Sequence, residues 1–398
     1  MIVWDVLIGQ GDAIDVLRAA AEAGQDIAAR REPRAAAMTH AWLFTGPPGS
    51  GRSVAARALA AALQCTSPTT DGPGCGECNG CHTTLAGTHP DVKIINPEGL
   101  SIGVEAMRAV VASAARRPAL GGWQVIVIED ADRLTEGASN ALLKAIEEPP
   151  ARTVFLLCAP STHPDDVSVT FRSRCRLVTL RTPPADAIAA VLRADGQDPA
   201  SAQWLAQAAQ GHVGRARRLA RDEDARARRG AVLAIPASLR SMQSCFDAAD
   251  ALLAAADGEA DAASGTRDAE ETEALKTALG AGGTGKGAMA AGRGAAGAVK
   301  ELQTRQKSRA TRTKRDVLDR ALVDLAGFYR DVLMLQLATG VPAANPDVRQ
   351  RAAEVARLLT RTQTLARLDA VLACREALEL NVKPRIAVEA MTFALRLP

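Results

Sequence analysis

The chain has 398 residues, enough for two or three domains, and 47% of them are hydrophobic, with aromatics at only 3%. A net charge of +3 is too small to mark a nucleic-acid binder by itself, and no run is long and apolar enough to span a bilayer. The N-terminal stretch "MIVWDVLIGQGDAIDVL" is acidic and unlike a secretory signal. A cytoplasmic protein is therefore expected, with no membrane partner, and its eight cysteines are expected to be thiols or metal ligands.

From residue 1 to about 180, short apolar runs alternate with helical patterns. "AWLFTG" (41–46) reads as a buried strand, and "GPPGSGRS" (46–53) follows it directly and opens the helix "GRSVAARALAAALQC". In that setting backbone N–H groups can close around phosphate oxygens, and the helix N-terminus adds positive potential. The candidate nucleotide-binding residues here are Gly46, Pro47, Gly49, Ser50, Gly51, Arg52 and Ser53, with Ser53 offering its hydroxyl to Mg²⁺. Arg52 stands where such a loop needs lysine. Arginine is longer and planar, and it bonds as a fork, so phosphate would sit in a shifted position.

Immediately after this helix, "CTSPTTDGPGCGECNGC" places Cys65, Cys75, Cys78 and Cys81 in a C-x9-C-x2-C-x2-C pattern. Two-residue spacers let neighbouring thiolates converge on one ion, and the Gly, Pro and Asn residues between them permit the turns. Four thiolates with no open position describe a structural tetrahedral Zn²⁺ site. His82 lies beside it but is not needed for the count. Cys158, Cys175, Cys245 and Cys374 read as ordinary small core residues.

Further strands are expected at "VKIINP" (92–97), "QVIVIED" (124–130) and "TVFLLCA" (153–159), and a helix at "TEGASNALLKAIEE", capped by Thr135 and stopped by Pro149-Pro150. The alternation predicts an α/β fold with a parallel sheet covered on both faces. After "VIVI", an ATPase needs Asp-Glu: the Asp holds hydrated Mg²⁺ and the Glu orients the attacking water. This chain has Glu129-Asp130, the reverse order. One carboxylate is a methylene too long for its role and the other a methylene too short, so weak or absent hydrolysis is expected. A helix-capping or salt-bridged surface pair is the alternative reading of these two acids.

Residues 183 to about 235 show only helical periodicity and predict a small helical lid. The region from 237 onward is also helical, with "ALGAGGTGKGAMAAGRGAAGA" marking a Gly/Ala-rich insert at about 257–298 that is expected to be flexible. Its "GTGKG" is not a second phosphate loop, because no strand precedes it and no apolar helix follows. "QTRQKSRATRTKR" (303–315) carries six cations and no acid, and reads as a solvated helix face or as a contact to phosphate backbone.

Taken in order, "HAWLFTGPPGSGRS", the four-cysteine insertion, "HPDV" (89–92), "NALLKAIEEPP" (140–150) and "RSRC" (172–175) resemble the delta-prime family of bacterial DNA polymerase III clamp-loader subunits. The resemblance spans roughly residues 5–235 and is architectural beyond that. It implies a RecA-like AAA+ domain with the zinc insertion (1–182), a helical lid domain (183–236) and an all-α collar domain (237–398). It also implies a five-subunit ring with gamma/tau motor subunits and a delta subunit, which loads a sliding clamp on primer-template DNA. In such rings ATP lies at subunit interfaces. Arg174 would be the arginine finger that reaches a neighbour's γ-phosphate; a salt bridge inside its own domain is the other reading. Ser161 or Thr162 falls at the family's sensor position. Gly214 stands where motor subunits place a sensing arginine, with Arg215 displaced by one step. Within the family the motor subunits keep Lys and Asp-Glu, whereas delta prime usually departs from one or both and retains the finger. The departures here therefore fit delta prime better than an ATP-hydrolysing motor-type subunit. A zinc-stabilised DNA-binding module is a third reading, disfavoured by modest charge and few aromatics.

Overall fold

A computed structural model describes residues 2–33, 37–120, 122–279 and 288–398, and only the backbone of 288–296. Two compact units are present. The first comprises Met1–Pro97, Ser101–Gly196 and Gly211–Ala216; the second comprises Glu98–Leu100, Gln197–Gln210 and Arg217–Pro398.

In the first unit, β1 (Ala41–Thr45), β2 (Val92–Ile95), β3 (Gln124–Ile128), β4 (Thr153–Ala159) and β5 (Arg176–Thr179) form one sheet in the order β2-β3-β4-β1-β5. Every pairing is parallel. The helices are α1 (Gly11–Ala28), α2 (Arg52–Leu63), α3 (Asn79–Leu85), α4 (Val104–Ala114), α5 (Glu136–Glu147), α6 (Val169–Arg174) and α7 (Ala185–Ala194).

Side chains alternate across a strand, so each strand feeds two cores. Trp42 and Phe44, Val125 and Val127, and Val154, Leu156 and Cys158 pack with α1 and α2 on one face. Ala41 and Leu43, Ile126 and Ile128, and Phe155, Leu157 and Ala159 pack with α4 and α5 on the other. Covered on both sides, these strands read in sequence as unbroken apolar runs, and the doubly covered parallel sheet forms as expected. Thr135 caps α5 by accepting the Ala138 N–H at 3.3 Å. The edge strand β5 was not foreseen. Only Val178 of its four residues is buried, so it lacks the apolar run that reveals a central strand.

The second unit is helical. It holds α8 (Pro199–Ala208), α10 (Glu223–Ser238), α11 (Met242–Ala278), α12 (Ala288–Gln336), α13 (Arg349–Leu358), α14 (Arg361–Glu379) and α15 (Pro384–Ala394); α9 (Val213–Arg221) straddles the division. Leu233, Cys245, Leu325, Phe328, Tyr329, Val355, Val371 and Val388 form its core. Arg229, 6% exposed, is held by Asp347 at 2.6 Å and by Asn345 at 2.7 Å. A buried guanidinium needs such partners to offset its desolvation.

The flexible insert expected at 257–298 needs correction in its first part, because residues 257–278 continue α11 without a break. Ala249, Ala256, Ala260 and Ser264 are buried along one stripe of that helix. Arg309 of α12 clamps Asp268 at 2.5 Å and Glu271 at 2.6 Å. Its hydrogen bonds hold the Glu271 carboxyl down at about 2. Helix-forming residues and a charged seam override the low-complexity look of the sequence. "GTGKG" lies outside the described residues. Within 303–315, Lys314 pairs with Asp257 at 2.6 Å and Arg315 donates to Asn381 at 2.8 Å, contacts that suit a charge-paired helix face. Among the described residues, no helix is long and apolar enough to cross a membrane.

Candidate functional site

The glycine loop joins β1 to α2. Gly46, Gly49 and Gly51 all have positive φ (151°, 86° and 93°). A Cβ on Gly46 would sit 2.5 Å from the Leu180 carbonyl oxygen, and one on Gly49 would sit 2.7 Å from the His212 Cα. Those two glycines are required by close backbone approach. Around Gly51 a Cβ would meet nothing within 4 Å, so that position keeps open space at the head of α2. The turn is braced by the Gly46 N–H on the Pro160 carbonyl and by the Ser50 N–H on the Pro47 carbonyl, both at 3.1 Å. Ser50 Oγ and Arg52 Nη1 are buried without hydrogen-bond partners.

The two acids after β3 occupy different settings. Glu129 is 7% exposed, and its Oε1 accepts from Arg57 Nε at 2.9 Å and Nη2 at 2.7 Å. Arg57 lies one turn beyond Ser53 on α2, which turns both side chains to the same face. Asp130 takes the left-handed conformation, with φ at 54°, and leads into the short turn of helix Ala131–Arg133. Its carboxylate lies 4.0 Å from Arg133 Nε. Glu129 thus realises the salt-bridged reading, although its place is buried rather than on the surface. Cys158 of β4 completes this wall. Burial, and then the Glu129 carboxylate, push its thiol up to about 12, while Arg52 and the Ser53 side chain pull the other way.

Asp132 was missed in the sequence, where nothing separates it from any other surface acid. Burial raises its pKa, and Asp130 adds to the rise while Arg133 and Arg52 oppose it. Its Oδ1 is buried without a hydrogen-bond partner. A carboxyl whose folded-state pKa is raised favours the folded state while protonated, and that contribution is lost as pH climbs through the raised value. Asp132→Asn, an uncharged isostere, is therefore expected to raise the melting temperature at pH 7. The gain should vanish below about pH 4, where the aspartate itself is neutral. Melting curves of both proteins across that range check it.

The four-cysteine insertion is gathered as the spacing implied. The sulfurs of Cys65, Cys75, Cys78 and Cys81 all lie within 4.8 Å of one another. Tetrahedral Zn–S bonds of about 2.3 Å would set sulfurs about 3.8 Å apart; Cys65 and Cys78 are at 4.0 Å. Backbone N–H groups already point at sulfur: Cys78 N donates to Cys75 Sγ at 3.2 Å, and Cys81 N and Thr66 N donate to Cys78 Sγ at 3.4 Å. Burial raises the Cys78 thiol, but these backbone donors outweigh it and bring the thiol down to about 6. Burial pushes the Cys81 thiol the other way, well above its ordinary value. The donor set and its backbone support fit a thiophilic metal. Gly80 lets the knuckle close, because a Cβ there would lie 1.9 Å from the Gln64 carbonyl oxygen. The N-terminal segment seals it, with Val3 N on the Gly74 carbonyl at 2.9 Å and Trp4 Nε1 on the Pro73 carbonyl at 3.1 Å.

Arg174 ends α6, away from the loop at 46–53 in sequence. Ser168 caps this short helix, and buried Phe171 anchors it. The guanidinium is 38% exposed and pairs with Glu147 at 2.7 Å; it also donates to the Thr170 carbonyl and to Ser173 Oγ, each at 3.2 Å. The pair lies inside its own unit, yet both partners face solvent, and such pairs contribute about 0–1 kcal/mol. Ser161 Oγ bonds Asp166 at 2.5 Å and accepts the His163 N–H at 2.9 Å.

Residues 28–184 match the family model described as DNA polymerase III, delta subunit. The DNA polymerase III subunit delta′ of Escherichia coli is 38% identical over 185 residues, covering 42% of this chain and 54% of that one. The chain thus spans about half the length of that curated relative. The DNA polymerase III subunit tau of Bacillus subtilis is 35% identical over 139 residues, covering 35% of this chain and 24% of that one. The solved RuvB Holliday junction branch migration motor of Thermotoga maritima is 22% identical, with a TM-score of 0.35, covering 54% of this chain and 61% of that one.

Proposed function

We propose that this chain, whose residues 28–184 match the family model described as DNA polymerase III, delta subunit, acts as a delta-prime-type stator in a replicative clamp loader. In this reading it sits in a five-subunit ring beside gamma/tau motor subunits and a delta subunit, in the cytoplasm, and supports ATP-driven loading of a sliding clamp on primer-template DNA. Residues 1–182 would be the AAA+ domain, 183–236 the lid and 237–398 the collar. One zinc held by Cys65, Cys75, Cys78 and Cys81 would stiffen the insertion, supplying folding energy and no chemistry.

The observation that carries the reading is an asymmetry. Arg174 is solvent-facing and weakly held, whereas the acid that should hold a metal in the chain's own loop is bound by Arg57. Such a subunit can stabilise charge on a neighbour's transferring phosphoryl group and is poorly equipped to cleave its own nucleotide. The purified chain is expected to show no DNA-stimulated ATP hydrolysis, and its addition to motor and delta subunits should raise theirs. The relation to a tau subunit favours a second reading, a motor-type subunit. Vigorous DNA-stimulated turnover by this chain alone would select that one.

A further inference from the structure

The divalent metal that belongs with a strand–glycine loop–helix site does not fit the residues of this one. Mg²⁺ demands near-octahedral oxygen ligands at short range and holds its waters tightly. Of the two acids that directly follow β3, the buried one is Glu129, and Arg57 takes its Oε1 through two N–H groups, at 2.9 and 2.7 Å. The extra methylene of Glu over Asp carries the carboxylate towards α2 and Arg57. Asp130 is turned into the left-handed region at the next position, beside Arg133. Ser53 lies against the Cys158 thiol, and Asp132, whose Oδ1 is buried without a partner, is a carboxyl that burial favours in its neutral form.

The anion-binding half of the site is nevertheless complete. Three positive-φ glycines shape the loop, space remains over Gly51, and Arg52 Nη1 is buried with nothing to bond. A buried guanidinium N–H without an acceptor is costly, and a phosphate oxygen would satisfy it. We infer that the loop takes the phosphate tail of a nucleoside di- or triphosphate without a divalent cation. Arg52 supplies the counter-charge, and the Arg57–Glu129 pair closes the position a metal would need. Occupancy then fixes the loop and the start of α2 rather than preparing a reaction. This inference stands apart from the role of Arg174, since it concerns binding by the chain alone.

Calorimetric titration of the full chain with ADP and with ATP, each in millimolar Mg²⁺ and in EDTA, tests it. The dissociation constants in the two buffers should agree within twofold. Arg52→Ala should weaken binding at least tenfold in both. Glu129→Asp, which withdraws the carboxylate from Arg57, should make binding at least fivefold tighter with Mg²⁺ than without. Zinc content equal to that of the parent chain would show that these variants are folded. A tenfold loss of affinity on moving the parent chain to EDTA overturns the inference. So does the absence of binding at millimolar nucleotide in both buffers, or a Glu129→Asp variant that remains indifferent to the metal.

Discussion

Arg174→Ala is expected to lower the ATP turnover of a clamp loader reconstituted with this chain at least tenfold, while the chain folds and enters the ring normally. The side chain contributes little to its own unit. Its pair with Glu147 is an exposed contact at 2.7 Å, worth about 0–1 kcal/mol, and α6 is held instead by buried Phe171 and the Ser168 cap. An arginine supplied in trans to a transferring phosphoryl group is worth roughly 10³–10⁵ in rate at the site it serves. Only some sites of a ring would depend on this residue, so the loss for the whole assembly is smaller. Arg174→Lys should restore part of the turnover, because a point charge neutralises but cannot bond as a fork. Glu147→Ala should leave turnover unchanged or raise it, since it removes the competing partner. Turnover equal to the parent in the Arg174→Ala ring would remove this residue from the mechanism.

The second large effect is expected from the cysteine cluster. Purified protein should carry one zinc per chain, and Cys81→Ser should abolish it and destabilise the first unit by about 4 kcal/mol, on the scale of lost structural metal sites. Cys81 is fully buried, and its sulfur lies with the other three at the junction of α2 and α3. Without metal, three thiols and a hydroxyl would have to be buried there beside backbone N–H groups aimed at sulfur. Cys374→Ser supplies the control. That residue is also buried, but in the core of the second unit, so the variant should lose some stability and keep its zinc. Metal analysis and thermal melts distinguish the two outcomes. A parent chain free of zinc, or a Cys81→Ser variant as stable as the parent, would refute the metal role.

Much of the first unit was legible in the sequence because local rules and tertiary structure agree there. The runs at 41–46, 124–130 and 153–159 are apolar throughout because both faces of those strands are covered, and burial of that kind leaves an unbroken signature. The glycine loop is readable because its three glycines take positive φ, and at Gly46 and Gly49 a side chain would also collide with backbone. The cysteines are readable because two-residue spacers impose a turn that any metal knuckle needs. In contrast, β5 has no signature: its Arg176 guanidinium lies over Trp42 at 5.1 Å, and pairing with β1 alone makes it a strand. The tract at 257–278 looked like linker by composition, yet Ala260 and Ser264 are buried and its acids meet Arg309.

The sequence by itself determined the order of the central strands and their helices, the glycine loop between β1 and α2 and the four-sulfur pattern, since each depends on residues close together in the chain. Only the tertiary structure decided which charges meet. That Arg57 holds Glu129 across 72 positions, that Asp132 is desolvated beside Asp130 and Arg52, and that Arg174 rests on Glu147 at the surface follow from how α2, β3, α5 and α6 pack. Electrostatic energy depends on distance and burial, and neither quantity is written along the chain.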